Sequence, residues 1–162
     1  MLIETERLTL RPLVLADVEE VVAVQAEPEI ERFLGPLDRE EALKRLHDNN
    51  REWRELGYGR MAILDRASGR FLGRAGLKYW PQFEETEAGW TLRKDAWGHG
   101  YATEAARASI EWGFASFDVP YITAMIEPVN TRSLAVAARL GMSRLRDDVL
   151  MDRDVTVFAA EP

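Results

Sequence analysis

The chain has 162 residues, 21 basic and 28 acidic side chains, no cysteine and two histidines; that length supports a single domain over residues 1–162 with one self-sufficient core. Without cysteine there is no thiolate nucleophile, iron–sulfur cluster, disulfide frame or cysteine-based zinc site, and His47 and His99 alone cannot build a metal centre, so no metal is expected. A net charge of −7 excludes a broad basic face for nucleic acid, no apolar run nears the roughly 20 residues of a bilayer span, and Met1–Arg11 alternates polar and apolar residues unlike a secretory signal, so we expect a cytoplasmic protein without nucleic-acid or membrane partners.

Alternation of Leu8 and Leu10 with polar residues predicts a first strand from Thr5 to Arg11. A helix starts at Asp17 and is interrupted at Pro28. Asp38, with Glu41 three residues on, predicts the N-cap of a second helix, which carries a buried stripe of Leu43, Leu46, Asn50, Trp53 and Leu56 and ends at Gly57. Two strands, Tyr58 to Leu64 and Arg70 to Tyr79, flank the turn Asp65-Arg66-Ala67-Ser68-Gly69, and Thr86 to Leu92 makes a third. A glycine-rich turn then opens a helix reaching about Phe117, with Ala102, Ala106, Ile110 and Phe114 on one face. The strand Tyr121 to Ile126, a helix from Asn130 to Leu140 closed by Gly141, and strands near Ser143–Arg146 and Val155–Ala159 complete the chain. The order predicts an α/β (α+β) domain, its sheet mainly antiparallel with a parallel pair where a helix crosses over.

The segment Trp97-Gly98-His99-Gly100-Tyr101-Ala102 between strand and helix is the most informative. The first amides of a helix lack intrahelical partners, and the helix dipole adds partial positive charge there. Glycines just before it let a ligand approach the backbone, which suits a phosphate or pyrophosphate; a tight connection without a ligand is the alternative. No Gly-Lys-Ser/Thr follows, which removes the Walker pattern. Thr103 stands where the dinucleotide fingerprint needs a third Gly or Ala.

The run Trp97 to Ala105 resembles the acetyl-CoA signature Gln/Arg-x-x-Gly-x-Gly/Ala of GNAT superfamily N-acetyltransferases, with Gly100 and Ala102 at the small positions. Trp97 replaces the leading Gln/Arg, as in the RimJ/RimL-like branch. Gly73-Arg74-Ala75-Gly76-Leu77, Ala88-Gly89-Trp90-Thr91-Leu92, and Asn130-Thr131-Arg132-Ser133 followed by Arg139-Leu140-Gly141-Met142 are similar to three further family elements, in order, so the resemblance runs from Glu4 to Ala159. It implies a GNAT-like sheet with a splayed parallel strand pair, helices on both faces, and acetyl-CoA as co-substrate. Pantetheine would bond backbone groups at Leu92, Arg93 and Lys94. The turn formed by Trp97, Gly98, His99, Gly100, Tyr101, Ala102 and Thr103 would take the pyrophosphate. Asn130 would face the pantetheine arm. Arg139 would reach the 3′-phosphate or be a plain surface charge. The acceptor would be a small-molecule or peptide amine, and the resemblance allows a homodimer.

Acetyl transfer to an amine needs a neutral amine, a stabilised oxyanion and a proton for the thiolate. Alkyl amines titrate near pH ~10 and thiols near ~8.5, so a base helps most. With no cysteine in the chain, direct attack in a ternary complex is expected, the oxyanion held by the Leu92 N–H or a neighbour. Glu87 is the candidate base, acting through water, or else one of an acidic surface run with Glu84 and Glu85; Glu127 and Asp154 are alternatives. Many relatives carry a proton-donating Tyr seven residues after the motif Asn. Ala137 stands there, leaving Ser133 as the candidate acid or simply a helix-start hydroxyl. Nine acidic and two basic residues between Asp17 and Glu41 suggest a negative lip that steers a cationic amine, or a solvated helix face. Two competitors stand beside the enzyme: a non-catalytic acyl-CoA-binding or sensing module on the same fold, and a nucleotide-binding oxidoreductase.

Overall fold

Eight strands form one sheet in the computed structural model, which describes residues 1–162. They are β1 (Ile3–Glu4), β2 (Leu8–Pro12), β3 (Arg60–Asp65), β4 (Phe71–Trp80), β5 (Glu85–Leu92), β6 (Ile122–Ile126), β7 (Ser143–Leu150) and β8 (Arg153–Ala160), in spatial order β1-β2-β3-β4-β5-β6-β8-β7. Every neighbouring pair is antiparallel except β5–β6. The helices are α1 (Val18–Gln25), α2 (Pro28–Leu34), α3 (Arg39–Leu56), α4 (Tyr101–Ser116) and α5 (Thr131–Arg139).

Strand alternation divides the core in two. Met61 and Ile63 enter one cluster with Leu8, Leu10 and Ala105 of α4, while Ala62 between them enters the other with Val18, Val24, Ile30, Ala42 and Leu46 of α1–α3. Thus α1–α3 cover one face and α4 the other, as the expected helices on both faces require. Gly113 lets α4 settle close to the sheet, since a Cβ there would stand 2.9 Å from Leu77 Cδ1 and 3.0 Å from Ile122 Cδ1.

Several expectations shift, each for a local reason. The expected strand from Thr5 begins only at Leu8, after a separate short β1 at Ile3–Glu4, because Thr5 turns the chain: its N–H donates to Leu8 O (2.9 Å) and its hydroxyl accepts from Leu8 N–H (3.0 Å). Pro28 begins a new helix, where its missing N–H costs nothing. Asp38 does cap α3, accepting from Glu41 N–H at 2.8 Å, and Gly57 ends it with φ +80°. The buried stripe of α3 is Ala42, Leu46 and Asn49, however, and Leu56 is exposed. Asn49 explains the rotation: its side chain accepts from Arg60 N–H (2.7 Å) and donates to Arg60 O (3.0 Å), turning a polar residue inward as a substitute strand partner. On α4 the buried face is Ala105, Ala106, Ser109, Ile110 and Gly113, turned from the Ala102–Phe114 row. The final hairpin is longer than expected: β7 exposes Leu145 and Val149 and turns Arg146 and Asp148 inward, so its apolar pattern does not read as a strand.

Asp17 ties the start of α1 to the sheet. Burial alone would raise its pKa, but bonds from Arg11 (2.8 Å to each oxygen) and from Val14 N–H (2.9 Å), with the charge on Arg11, hold it below the usual carboxylate range. A depressed folded-state pKa gives stability that is complete above the ordinary value of 3.8 and is lost as pH falls below it. Asp17→Asn should therefore lower the urea midpoint at pH 7 and shrink its further loss under acid, measured by urea melts from pH 7 to pH 3.

Candidate active site

The one parallel pair is where the sheet opens. β5 and β6 pair only at Glu87↔Thr123, and beyond that point the strands diverge. Arg93 N–H donates to Leu72 O on the β4 side (2.8 Å). Alternation along β5 therefore turns the N–H and C=O of Leu92 and Trp90 toward the opening, where β6 no longer meets them. Leu92 O accepts from Trp97 Nε1 (2.9 Å), leaving its N–H as the donor facing the cleft.

This corrects part of the expected pantetheine set. The Arg93 amide is used by Leu72, and the Lys94 amide donates to Glu27 Oε2 (2.7 Å). Their side chains are also engaged, Arg93 with Asp95 and Lys94 with Glu29. Of the three, Leu92 alone keeps a free amide at the cleft.

Trp97 to Thr103 forms the mouth of the cleft. Gly98 and Gly100 both have φ +80°, the left-handed region that favours glycine, and nothing lies within 4 Å of a Cβ built at Gly98. No amide from Gly98 to Thr103 donates to any group in the chain; the first that does is Glu104 N–H, to Gly100 O at 3.1 Å. Thr103 Oγ1 is buried beside these amides without a partner. An unsatisfied hydroxyl and a row of unpaired N–H groups at the start of a 16-residue helix fit a phosphate-sized anion.

Glu104 in the first turn would oppose an anion, but it is neutralised. Burial would raise its pKa, yet bonds from Thr5 Oγ1 (2.6 Å), Arg7 N–H (2.9 Å) and the Arg7 guanidinium hold it low. Arg7 also donates to His99 O (2.7 Å) and stacks on Tyr101 at 4.5 Å, fixing the turn from outside. The exposed His99 contributes a carbonyl to that brace, and its ring lies beside Tyr101.

Three arginines without a carboxylate partner flank this end: Arg139, and two the sequence reading left out, Arg107 and Arg132. Arg132 stacks on Trp97 at 4.2 Å and Arg107 donates to Arg139 O (3.1 Å). The signal for Arg132 lay inside the Asn-x-x-Ser element, and that for Arg107 one turn beyond Thr103. Asn130 caps α5 by accepting from Ser133 N–H (3.2 Å). The Ser133 hydroxyl makes no hydrogen bond and lines the same cavity. Ala137 is fully buried among Ala124, Ile126 and Met142, so no hydroxyl stands there.

The cavity, about 1630 Å³, runs from this mouth through the cleft into a chamber between the sheet and α1–α3. It exceeds the ~300–1,000 Å³ of a pocket for one small ligand. Glu87 stands on the chamber floor, 6% exposed. Its Oε1 accepts from Arg60 Nη2 (2.7 Å) and Trp80 Nε1 (3.2 Å); its Oε2 makes no hydrogen bond. Arg60 in turn donates to Gly76 O (2.9 Å) and lies across Gly89, where a Cβ would stand 2.5 Å from Nη1. The motif glycine at 89 therefore clears the bed of the guanidinium that orients Glu87.

Glu127 also lines the cavity but is bound to Arg153 (3.2 Å), which further donates to Phe33 O and ties β8 to the end of α2. Asp154 is exposed and outside the cavity. Most of the acidic run is engaged within the chain, while the exposed Glu31 and Glu40 carry no ion pair. Asp17 is held by Arg11, Glu19 by Arg39, Glu27 and Glu29 by Lys94, and Glu41 by Arg45, while Asp38 caps α3. Of the nine carboxylates only Glu29 lines the cavity. No helix is long and apolar enough to cross a membrane.

The chain matches the family described as "Acetyltransferase (GNAT) domain" over residues 7–143. It is 30% identical over 150 residues to the uncharacterized N-acetyltransferase p20 of Bacillus licheniformis, covering 88% of this chain and 84% of that protein. To the uncharacterized protein YkkB of Bacillus subtilis (strain 168) it is 32% identical over 114 residues, 68% of this chain and 65% of that one. An acetyltransferase structure from Agrobacterium tumefaciens str. C58 aligns with TM-score 0.88 at 31% identity, covering 100% and 95% of the two chains. The fold also matches RimL, a ribosomal-protein alpha-N-acetyltransferase solved in complex with coenzyme A, with TM-score 0.80 at 18% identity over 99% and 98%.

Proposed function

Since the chain belongs to the GNAT acetyltransferase family, we propose that it moves an acetyl group from acetyl-CoA directly onto a primary amine within a ternary complex. The observation that carries this reading is a single cavity joining an anion-ready helix start to a buried carboxylate with one unengaged oxygen. Gly98 to Thr103, with Arg107, Arg132 and Arg139, would hold the diphosphate and 3′-phosphate; Trp90 would pair with a pantetheine amide as an added strand does. Bound there, the coenzyme supplies a thioester acyl group. Leu92 N–H would donate to the acyl oxygen as charge gathers on it. Glu87 Oε2 would take the proton of the attacking amine, through water, and Ser133 Oγ would return one to the departing sulfur. The lack of cysteine and the RimJ/RimL-like turn favour direct transfer, to a peptide N-terminus or a small amine, in the cytoplasm.

A binding module of the same fold would take up the coenzyme without consuming it. Coenzyme A should quench the fluorescence of Trp97 or Trp90, with affinity falling as salt rises because phosphates meet arginines. Acetyl-CoA should release thiol only when an amine is added. Saturable binding without release across a panel of amines and N-terminal peptides would leave the binding module as the function. A saturable NADH signal in place of the coenzyme A signal would move the reading to an oxidoreductase.

A further inference from the structure

The chamber between the sheet and α1–α3 contains many ions, and nearly all are paired. Glu87 is matched by Arg60, Glu52 by Lys78, Glu127 by Arg153 and Glu29 by Lys94, each within 3.2 Å. Arg45 and Asp48, on the chamber side of α3, have Glu41 and Arg51. The exception is Arg74. It lies on β4 opposite Thr91 of β5 and Ala62 of β3, four residues before Lys78, and so on the same sheet face as Lys78 and Glu87. It lines the cavity, is at most half exposed, and makes neither an ion pair nor a hydrogen bond.

An Arg presents five N–H donors in a planar fork suited to an anionic oxygen pair, and enclosing one without a partner is costly. Burial is the main cause that pulls its pKa down to about 10, with the charges of Arg60 and Arg45 adding to the fall and Glu87 opposing it. Glu87, the one carboxylate whose charge is felt at Arg74, is already committed to Arg60. The partner of Arg74 is therefore not in the chain.

We propose that Arg74 receives a carboxylate carried by the acceptor, so that the amine acetylated here belongs to an amino acid or a similar small amino-carboxylate. This deepens the acetyltransferase reading and rests on it. One unmatched positive charge calls for one negative charge: a carboxylate closes the chamber's balance, whereas a phosphate monoester would leave a second charge buried without a partner. With the carboxylate on Arg74, the amine of the same molecule lies on the face that carries Glu87.

The test compares amino acids with their carboxamides and their decarboxylated amines, in the wild type and in Arg74→Met, following thiol release from acetyl-CoA. The carboxamides are the less basic amines and so have more of the reactive neutral form; a preference for the carboxylate over them is recognition rather than amine reactivity. The wild type should favour the carboxylate by about tenfold or more in kcat/KM, and in Arg74→Met that preference should disappear, leaving the order set by amine basicity. A second readout does not depend on turnover: the amino acid should raise the wild-type Tm, its carboxamide should not, and the shift should vanish in Arg74→Met. Without ligand, Arg74→Met should melt no lower than the wild type, which separates lost recognition from lost folding. Equal use of acidic and neutral amines, or a carboxylate preference that survives Arg74→Met, overturns the assignment while leaving acetyl transfer intact. Absence of thiol release with every amine counts instead against acetyl transfer, and the Tm arm then decides Arg74 by itself.

Discussion

Glu87→Gln lowers kcat for amine acetylation by about 10²- to 10³-fold and leaves the KM for acetyl-CoA unchanged. Glutamine keeps the size of the side chain and one carbonyl oxygen to accept from Arg60 Nη2 and Trp80 Nε1, so the chamber floor stays packed. It loses the second oxygen, the one with no partner in the chain, and with it the capacity to take a proton. The coenzyme's phosphates would contact the far end of the cavity, at Gly98 to Thr103, so the effect belongs in kcat. Arg60→Met separates orientation from proton transfer. It leaves Glu87 buried without its cation, which should cost on the order of 3 kcal/mol of stability in urea melts. It should also lower kcat by less than Glu87→Gln, because the carboxylate remains. A Glu87→Gln enzyme with kcat within about twofold of wild type would move the base to another group or make it unnecessary.

What could be read in the sequence was local. The Asp38–Glu41 cap, the turn after Asp65 and the glycines before α4 all involve residues within four positions of one another, and each appears where expected. What could not be read depends on register. Arg60 meets Glu87 across 27 positions only because β3, β4 and β5 lie side by side in one particular alignment. The sequence presented Glu87 as one of three nearby acids, with no sign of the cation that fixes it. Gly89 was legible as a motif letter, but not as the bed of Arg60. The same holds for Arg74, whose importance lies in a partner that is missing, and missing partners leave no pattern along a chain. The α3 stripe was misjudged by about one position because Asn49, a polar residue, is drawn inward by the Arg60 backbone. The Arg93 and Lys94 amides, which the resemblance gives to the coenzyme, donate instead to Leu72 and Glu27, 21 and 67 residues away.

Gly73→Ala should be among the most damaging single-methyl additions, and the reason is geometric. Gly73 is paired with Leu92 on one side and Ile63 on the other, at the point where the β3–β4 register shifts. A Cβ there would stand 2.1 Å from Thr91 O and 2.7 Å from Leu92 Cα, both backbone atoms that cannot swing aside, and the residue has φ +154°. The strands must separate to admit the methyl, at a cost of about 3 kcal/mol or more, which for a domain of this size lowers Tm by roughly 6–12 °C. Gly69→Ala is the control: its φ is +75°, but nothing lies within 4 Å of the added carbon, so it bears only conformational strain, about 1 kcal/mol. The displaced strand is the one whose Leu92 N–H faces the cleft, so activity should fall further than stability requires. At a temperature where Gly73→Ala remains folded by circular dichroism, its kcat should still be reduced by about tenfold, a shift of the oxyanion donor by a fraction of an ångström being enough. Equal melting of the two variants would mean that β4 and β5 yield at this crossing, and full kcat in folded Gly73→Ala would remove Leu92 from the chemistry.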